Sequence, residues 1–314
     1  MSFALFAQSS IVPIPQNVAY NQVKAELGKK LFFDPLLSKD GTLSCSSCHT
    51  LPGNGANSSQ FSFGINGSEN EINTPTVLNS TFNFSHFFNG RAKNLQDQAL
   101  ESIESPYAMQ ADINEVLTKL QSTEYKGEFA RIYDDGLNKK NLLDAITVFE
   151  RALTTPNSRF DQYLRGDTTA LNKQEKDGYE RFVKDGCISC HNGVNIGGNM
   201  YQKMGIYVPY GQEKVLNGRY DITKRERDKY VYKVPSLRNI ELTAPYFHDG
   251  SVKTLKEAIV KMYEHQLGVP NKKKGVEDVE AFLKTLTGEA PKILQEKVKG
   301  ENLTFDSANI KGVK

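Results

Sequence analysis

The chain has 314 residues, a formal net charge of +2, 38% hydrophobic residues and 24% charged residues. That balance supports an ordinary buried core and excludes a disordered chain, while the near-neutral charge excludes the basic footprint of a nucleic-acid binder. Length alone suggests about two domains, and no run of about 18 or more apolar residues predicts a membrane span.

In chain order, the first periodic segment is Asn17 to Phe33, where Val18, Val23, Leu27 and Leu31 recur at mostly helical spacing before Asp34-Pro35 stops the pattern. Thr50 to Asn73 follows as a stretch rich in Gly, Asn and Ser. Asn141 to Leu153 places apolar residues at 142, 145, 146, 149 and 153, an amphipathic helix. Lys173 to Lys184 reads as a helix leading into Gly186. Asn192 to Lys229 is a second long polar stretch, and structureless loops of this length usually wrap a cofactor or serve a function. Thr254-x-x-Glu257 is a capping box opening a helix through about Glu264, and Val276 to Leu286 is a shorter helix ended at Gly288. Strand signals are weak throughout, so the expected class is mainly α with little β.

The chemistry lies in the cysteines. All four fall in two Cys-x-x-Cys-His units, Cys45-Cys48-His49 and Cys187-Cys190-His191. Two disulfides, two redox dithiols or a shared zinc site are the plainer readings. A dithiol has no need of the following His, and zinc units are usually closer together than these, whose first cysteines lie 142 residues apart. In haem attachment the two thiols add to the vinyl groups and the adjacent His becomes the fifth iron ligand. Two covalently bound haem c groups are therefore expected, with His49 and His191 as ligands. One haem per unit suggests two cytochrome c-like domains, 1–165 and 166–314, dividing near Arg165-Gly166. The halves share the haem motif and little other sequence.

Covalent attachment happens outside the cytoplasm, so a secretory signal is expected. Met1-Ser-Phe-Ala-Leu-Phe-Ala7 lacks a basic n-region and a full apolar stretch, and reads as a terminus whose signal was removed or replaced. The sixth iron positions decide function, since an occupied one transfers electrons and an open one admits a ligand. For the second haem, Met200, Met204 and Met262 are the candidates, and Met1 and Met109 are less suitable. Met262 shares an apolar face with Leu255, Ala258 and Ile259, so core packing is its plainer reading. His86 sits in a Phe-rich stretch, where a packed His is commoner than a ligand, although it could reach the inter-haem space. His248 reads as structural and His265 as exposed.

Several motifs together resemble the bacterial dihaem cytochrome c peroxidases, a family that includes the MauG-type enzymes. They are Asn73-Thr-Pro-Thr-Val-Leu-Asn79, Phe88-Asn-Gly-Arg91 with Leu95-x-x-Gln98-Ala99, and Val234-Pro-Ser-Leu-Arg-Asn-Ile-Glu-Leu-Thr-Ala-Pro-Tyr-Phe-His-Asp-Gly250. The resemblance runs from about Ala25 to Gly288. It implies that Met262, 14 residues after His248, is the axial ligand of a high-potential haem. It implies a calcium ion between the domains at Asn73, Thr243 and Pro245, whose oxygen donors suit that cation. Gln98 would belong to the peroxide pocket and Phe88 would stand between the haems, where the family usually has Trp. Arg91 and Arg238 would pair with haem propionates.

The same resemblance exposes departures. Thr50 to Ile72 holds no His to serve as a distal ligand, so the first haem is expected to be open or water-bound. Ala108 stands where the family has its catalytic Glu, and Ala does no acid–base work. Glu101 and Glu104 lie a turn or two earlier. Asn89 replaces Asp, and Trp is absent. The implied activity is reduction of hydrogen peroxide with electrons from a small periplasmic cytochrome c or copper protein, at a rate lowered by Ala108. Peroxide-dependent oxidation of a partner protein, as in MauG-type relatives, ranks lower because Met262 is kept. A non-catalytic dihaem carrier or sensor is the third reading. Family members are commonly dimers, which implies a homodimer.

Overall fold

A computed structural model describes residues 10–210 and 217–295. Met1 and the start of the chain, on which the signal reading rests, lie outside the described residues. The helices are α1 Gln22–Phe33, α2 Leu95–Glu104, α3 Ile113–Gln121, α4 Tyr125–Ile132, α5 Lys139–Ala152, α6 Arg159–Leu164, α7 Lys173–Lys184, α8 Tyr220–Thr223, α9 Leu255–Leu267, α10 Val276–Lys284 and α11 Lys292–Gln295. Strands β1 Tyr201–Lys203 and β2 Val231–Lys233 pair antiparallel, with Tyr201 opposite Lys233. The mainly α expectation holds.

Caps explain most boundaries. α1 begins five residues later than the periodicity suggests because Asn21 accepts from the Lys24 amide, at 3.0 Å. α7 matches its predicted span, with a capping box between Asn172 and Glu175. α9 opens at Thr254 as expected and runs on to Leu267, where Gly268 takes φ +67°. α2, α3, α4 and α6 were not visible as periodic segments. The loop after His49 is irregular apart from a short turn at Ile65–Gly67.

Two helix crossings carry the architecture, and they are copies of each other. α1 meets α5 at Gly28, where an added Cβ would lie 1.9 Å from the Ala145 carbonyl oxygen. α7 meets α10 at Gly178, where it would lie 1.9 Å from the Asp278 carbonyl oxygen. Phe32 and Phe149 pack edge-on in the first crossing and Phe182 against Phe282 in the second, each pair 5.2 Å apart. Phe32 then lies 6.5 Å from the His49 ring and Phe182 6.4 Å from His191. Close helix approach therefore places each haem motif. A side chain at position 28 has nowhere to go, so Gly28→Val is expected to destabilise the fold by about 3 kcal/mol, read from denaturant midpoints.

The loops repeat as well. Asn79 and Asn239 share φ +60°, Phe87 and Phe247 take φ +61° and +70°, and Gly90 and Gly250 follow at +70° and +57°. Both asparagines donate their side-chain amides to one hydroxyl, Thr155 Oγ1, at 2.7 and 2.9 Å. The halves thus share far more than the haem motif, which their side chains conceal.

Core packing crosses residues 165–166. Phe160 of α6, with Tyr163 and Leu164, packs into the core built by α7, α9 and α10. The chain also crosses over at both ends. Ile11 joins that second core, whereas Ile293 and Leu294 join Phe32, Phe149 and Leu153.

Candidate functional site

A cavity of about 1190 Å³ runs through both halves, lined by Cys45, Cys48, His49, Cys187, Cys190 and His191. The four cysteines make no disulfide. Burial pushes the Cys45 and Cys187 thiols up to about 12, so both are held neutral. His49 Nδ1 lies 3.0 Å from the Gly55 carbonyl; donating there leaves the Nε2 lone pair for a metal. His191 Nδ1 has no well-formed hydrogen bond, although the backbone at Ile196 and Pro235 lies near enough to raise its basicity. Burial outweighs that and pulls His191 down to about 4, and it lowers His49 likewise. Both imidazoles are neutral, as iron ligation requires. Size, thiols and oriented imidazoles all fit two covalently held haems.

Placing the two halves in the register of their glycines and caps shows where they differ. Asn94 caps α2 and Thr254 caps α9, each followed three residues on by an acid, Asp97 or Glu257. Four residues after the cap stand Gln98 in the first half and Ala258 in the second; eight after it stand Ser102 and Met262. All four line the cavity. Gln98 donates its amide to Ser102 Oγ at 2.8 Å. The second half thus offers a thioether where the first offers only a short hydroxyl.

Among the other methionines, Met200 does not line the cavity, and Met109 is buried in the first core with one side on the cavity wall. Met204 lines the cavity beside Met262. Its sulfur already accepts from Gln266 Nε2, at 3.7 Å, and among the described residues no such bond engages Met262.

Phe88 and His86 both line the cavity. Phe88 packs edge-on to His248, with ring centres 6.4 Å apart, and its carbonyl accepts the Lys233 amide at 2.7 Å. Burial, with Lys233 nearby, depresses His86 to about 4, so this ring is neutral at pH 7. Lys233 is itself buried in the cavity wall and drops to about 8 through desolvation. Arg91 is paired with Glu101 and stacks over Phe87, and it lines the cavity with Ala108 and Glu104.

Arg238 does not line the cavity. Its guanidinium is buried against Asp161 at 2.7 Å and donates to the Val194 and Val12 carbonyls. His265 is buried, not exposed, because Nδ1 reaches the Val208 carbonyl at 2.9 Å. His248 is buried and stacked on Tyr232, 4.3 Å between ring centres, in keeping with a structural role. Asn73 donates its backbone amide to the His248 carbonyl and its side-chain amide to Ser59 and Gln60, which leaves Oδ1 unengaged among the described residues. Thr243 and Pro245 share the cavity wall with it.

Sequence reading missed Glu150. It lies four residues after Ile146 within the apolar stripe of α5, a position that should have drawn attention. The side chain is 4% exposed, lines the cavity, and its Oε2 has no hydrogen-bond partner. Burial alone lifts its carboxyl to about 8. The folded protein therefore keeps this proton up to about pH 8, whereas the unfolded chain loses it near 4.5. The native state binds more protons across that window, so this residue makes the fold less stable as pH rises through it. Glu150→Gln should flatten that part of a stability-against-pH curve.

Comparison with known proteins agrees with this geometry. Residues 22–169 match the family model for di-haem cytochrome c peroxidase. The cytochrome c551 peroxidase of Nitrosomonas europaea is 45% identical over 288 residues, covering 91% of this chain and 86% of the relative. The chain belongs to the di-haem cytochrome c peroxidase family. The cytochrome c551 peroxidase of Pseudomonas aeruginosa is 39% identical over 92% of this chain and 88% of its own length. A crystal structure of a MauG-like protein associated with microbial copper homeostasis superposes with a TM-score of 0.77 at 27% identity, over 94% of this chain and 97% of that one. As a di-haem peroxidase family member, the protein carries two haem groups in a mainly helical, two-unit fold and belongs among the oxidoreductases that act on peroxide. No helix among the described residues is long and apolar enough to cross a membrane.

Proposed function

We propose that this protein reduces hydrogen peroxide to water at its first haem, using electrons that enter at the second from a small periplasmic cytochrome c or copper protein. The observation that carries this reading is the replacement of Met262 by Ser102 at the equivalent place in the first half. A thioether closes one site for electron transfer; a serine hydroxyl leaves the other open to a ligand. When bound, the haem groups supply the electron transfer and the peroxide chemistry.

The chain's own residues hold and position. His49 and His191 present neutral imidazoles to the two haems, and Met262 presents its sulfur to the second. Gln98, fixed by Ser102, places an amide where peroxide oxygen would bind. His86, neutral and buried, can accept a proton on its ring nitrogen. Phe88 lines the cavity and packs against His248 of the second half, where its ring would help shield the path between the two sites. Peroxide takes up two electrons and two protons to give two waters. The test is a ferric absorption spectrum: a high-spin signal that peroxide removes, with oxidation of a reduced cytochrome c in turnover. Two low-spin, peroxide-inert haems would overturn the reading.

The calcium proposal rests on Asn73 Oδ1 together with the backbone carbonyls of Thr243 and Pro245, hard oxygen donors that join the halves. The Thr243 hydroxyl is spent on the Ile240 carbonyl, so its carbonyl is the available donor. A chelator should lower the melting temperature by several degrees, with calcium restoring it, since a ligand bound only to the native state stabilises it.

A further inference from the structure

The two helix crossings put one polar difference against the haems. Gly28 and Phe149 in the first correspond to Gly178 and Phe282 in the second, so the next residue along is Glu150 in one and Leu283 in the other. Both side chains are 4% exposed and both line the cavity. Leucine is the expected choice for such a wall. A carboxyl with an unpartnered buried oxygen is costly there unless it acts on what fills the cavity.

Among the described residues no ion pair neutralises it. On α1, Lys29 donates to the Ile293 carbonyl and Lys24 pairs with Asp144 of α5 itself. On α2, Glu101 is taken by Arg91 and Glu104 adds only like charge. On α3, Lys119 is held by the carbonyls of Ser38 and Lys39, and Glu115 is exposed. Arg151, the next residue of α5, points to solvent. Cys45 and Glu150 line the same cavity, and the carboxyl's charge is felt at the Cys45 thiol, which sets Glu150 on the side of the cavity where the first haem motif lies. His49 is held neutral by burial.

We propose that Glu150 is a redox-linked acid of the first haem site, holding a proton while that haem is reduced and releasing it when an electron is withdrawn. The electron leaves the iron for the oxidant, which is peroxide in turnover or the electrode in a titration. The carboxyl O–H bond breaks, the proton passes to water, and the carboxylate offsets the positive charge gained beside it. Leu283 denies the second haem this compensation, so the coupling through this carboxyl belongs to the first haem; Lys233, the cavity-wall amine whose pKa is also near 8, is unchanged in Glu150→Gln and so does not account for a slope lost in that variant. The acid's native pKa, about 8 rather than near 4.5, suits such exchange. The inference rests on the two haems and not on peroxide turnover.

The test is a spectroelectrochemical titration of the holoprotein from pH 6 to pH 10, following each haem by its own absorption. The first haem's midpoint should fall as pH rises, reflecting a Glu150 acid constant about 10-fold or more larger in the oxidised state, while the second stays level. Glu150→Gln, nearly isosteric, should remove the slope of the first and leave the second unchanged. A slope that survives in Glu150→Gln, or that both haems share equally, overturns the proposal. An infrared redox-difference spectrum of the unaltered protein provides a check independent of any variant. A protonated-carboxyl C=O band should vanish on oxidation, and its absence would also count against the idea. Loss of peroxide turnover with the pH slope intact would instead fault the peroxidase reading.

Discussion

Ser102→Met is expected to close the first haem and cut peroxide reduction by about three orders of magnitude, roughly 4 kcal/mol of barrier. Ser102 stands eight residues after its helix cap, as Met262 does after its own, and both line the cavity. A thioether placed there should reach the first iron much as Met262 is proposed to reach the second. The high-spin ferric signal should disappear and a second low-spin haem appear in its place. Gln98 also loses its hydroxyl partner, so Ser102→Ala serves as the control. That variant should stay high-spin and keep most of its turnover. A high-spin Ser102→Met protein would show that the two helices are not equivalent in the way their caps indicate.

Ala108→Glu is expected to raise kcat for peroxide by about 10²-fold, the lower end of what a positioned general acid–base contributes. Ala108 lines the same cavity as Gln98, and its backbone is pinned at both ends, donating to the Ser105 carbonyl and accepting from the Ile65 amide at 3.0 Å. A carboxyl there could carry a proton between the two peroxide oxygens. Glu101 is not free to do so, being paired with Arg91. Unchanged turnover would mean that another group, with His86 first in line, already meets the need.

Both experiments depend on a repeat that the residue string hides. Gly28 and Gly178, Asn79 and Asn239, and Asn94 and Thr254 are equivalent in space, yet few of their neighbours match in type. The haem motifs were legible because covalent attachment demands two thiols and a histidine at one fixed local spacing. α5, α7, α9 and α10 were legible because long apolar stripes and capping residues are local signals as well. α2 stayed hidden because only Ala99 and Ile103 of its ten residues are buried; the rest of its face is turned to the cavity and to solvent.

What the sequence determined by itself, then, is the pair of haem sites, the helical class and the motif order shared with the di-haem peroxidases. All of these are written in contiguous residues or in their succession. Tertiary structure alone decided which charges were already spoken for. Arg238 looked available until Asp161, 77 residues earlier in the chain, was found buried against it. Glu150 reads in the sequence as one more acid on a helix, and only the packing of α5 shows it buried in the cavity wall. Long-range packing fixes how far each charge is removed from water, and that is not recorded in any local pattern.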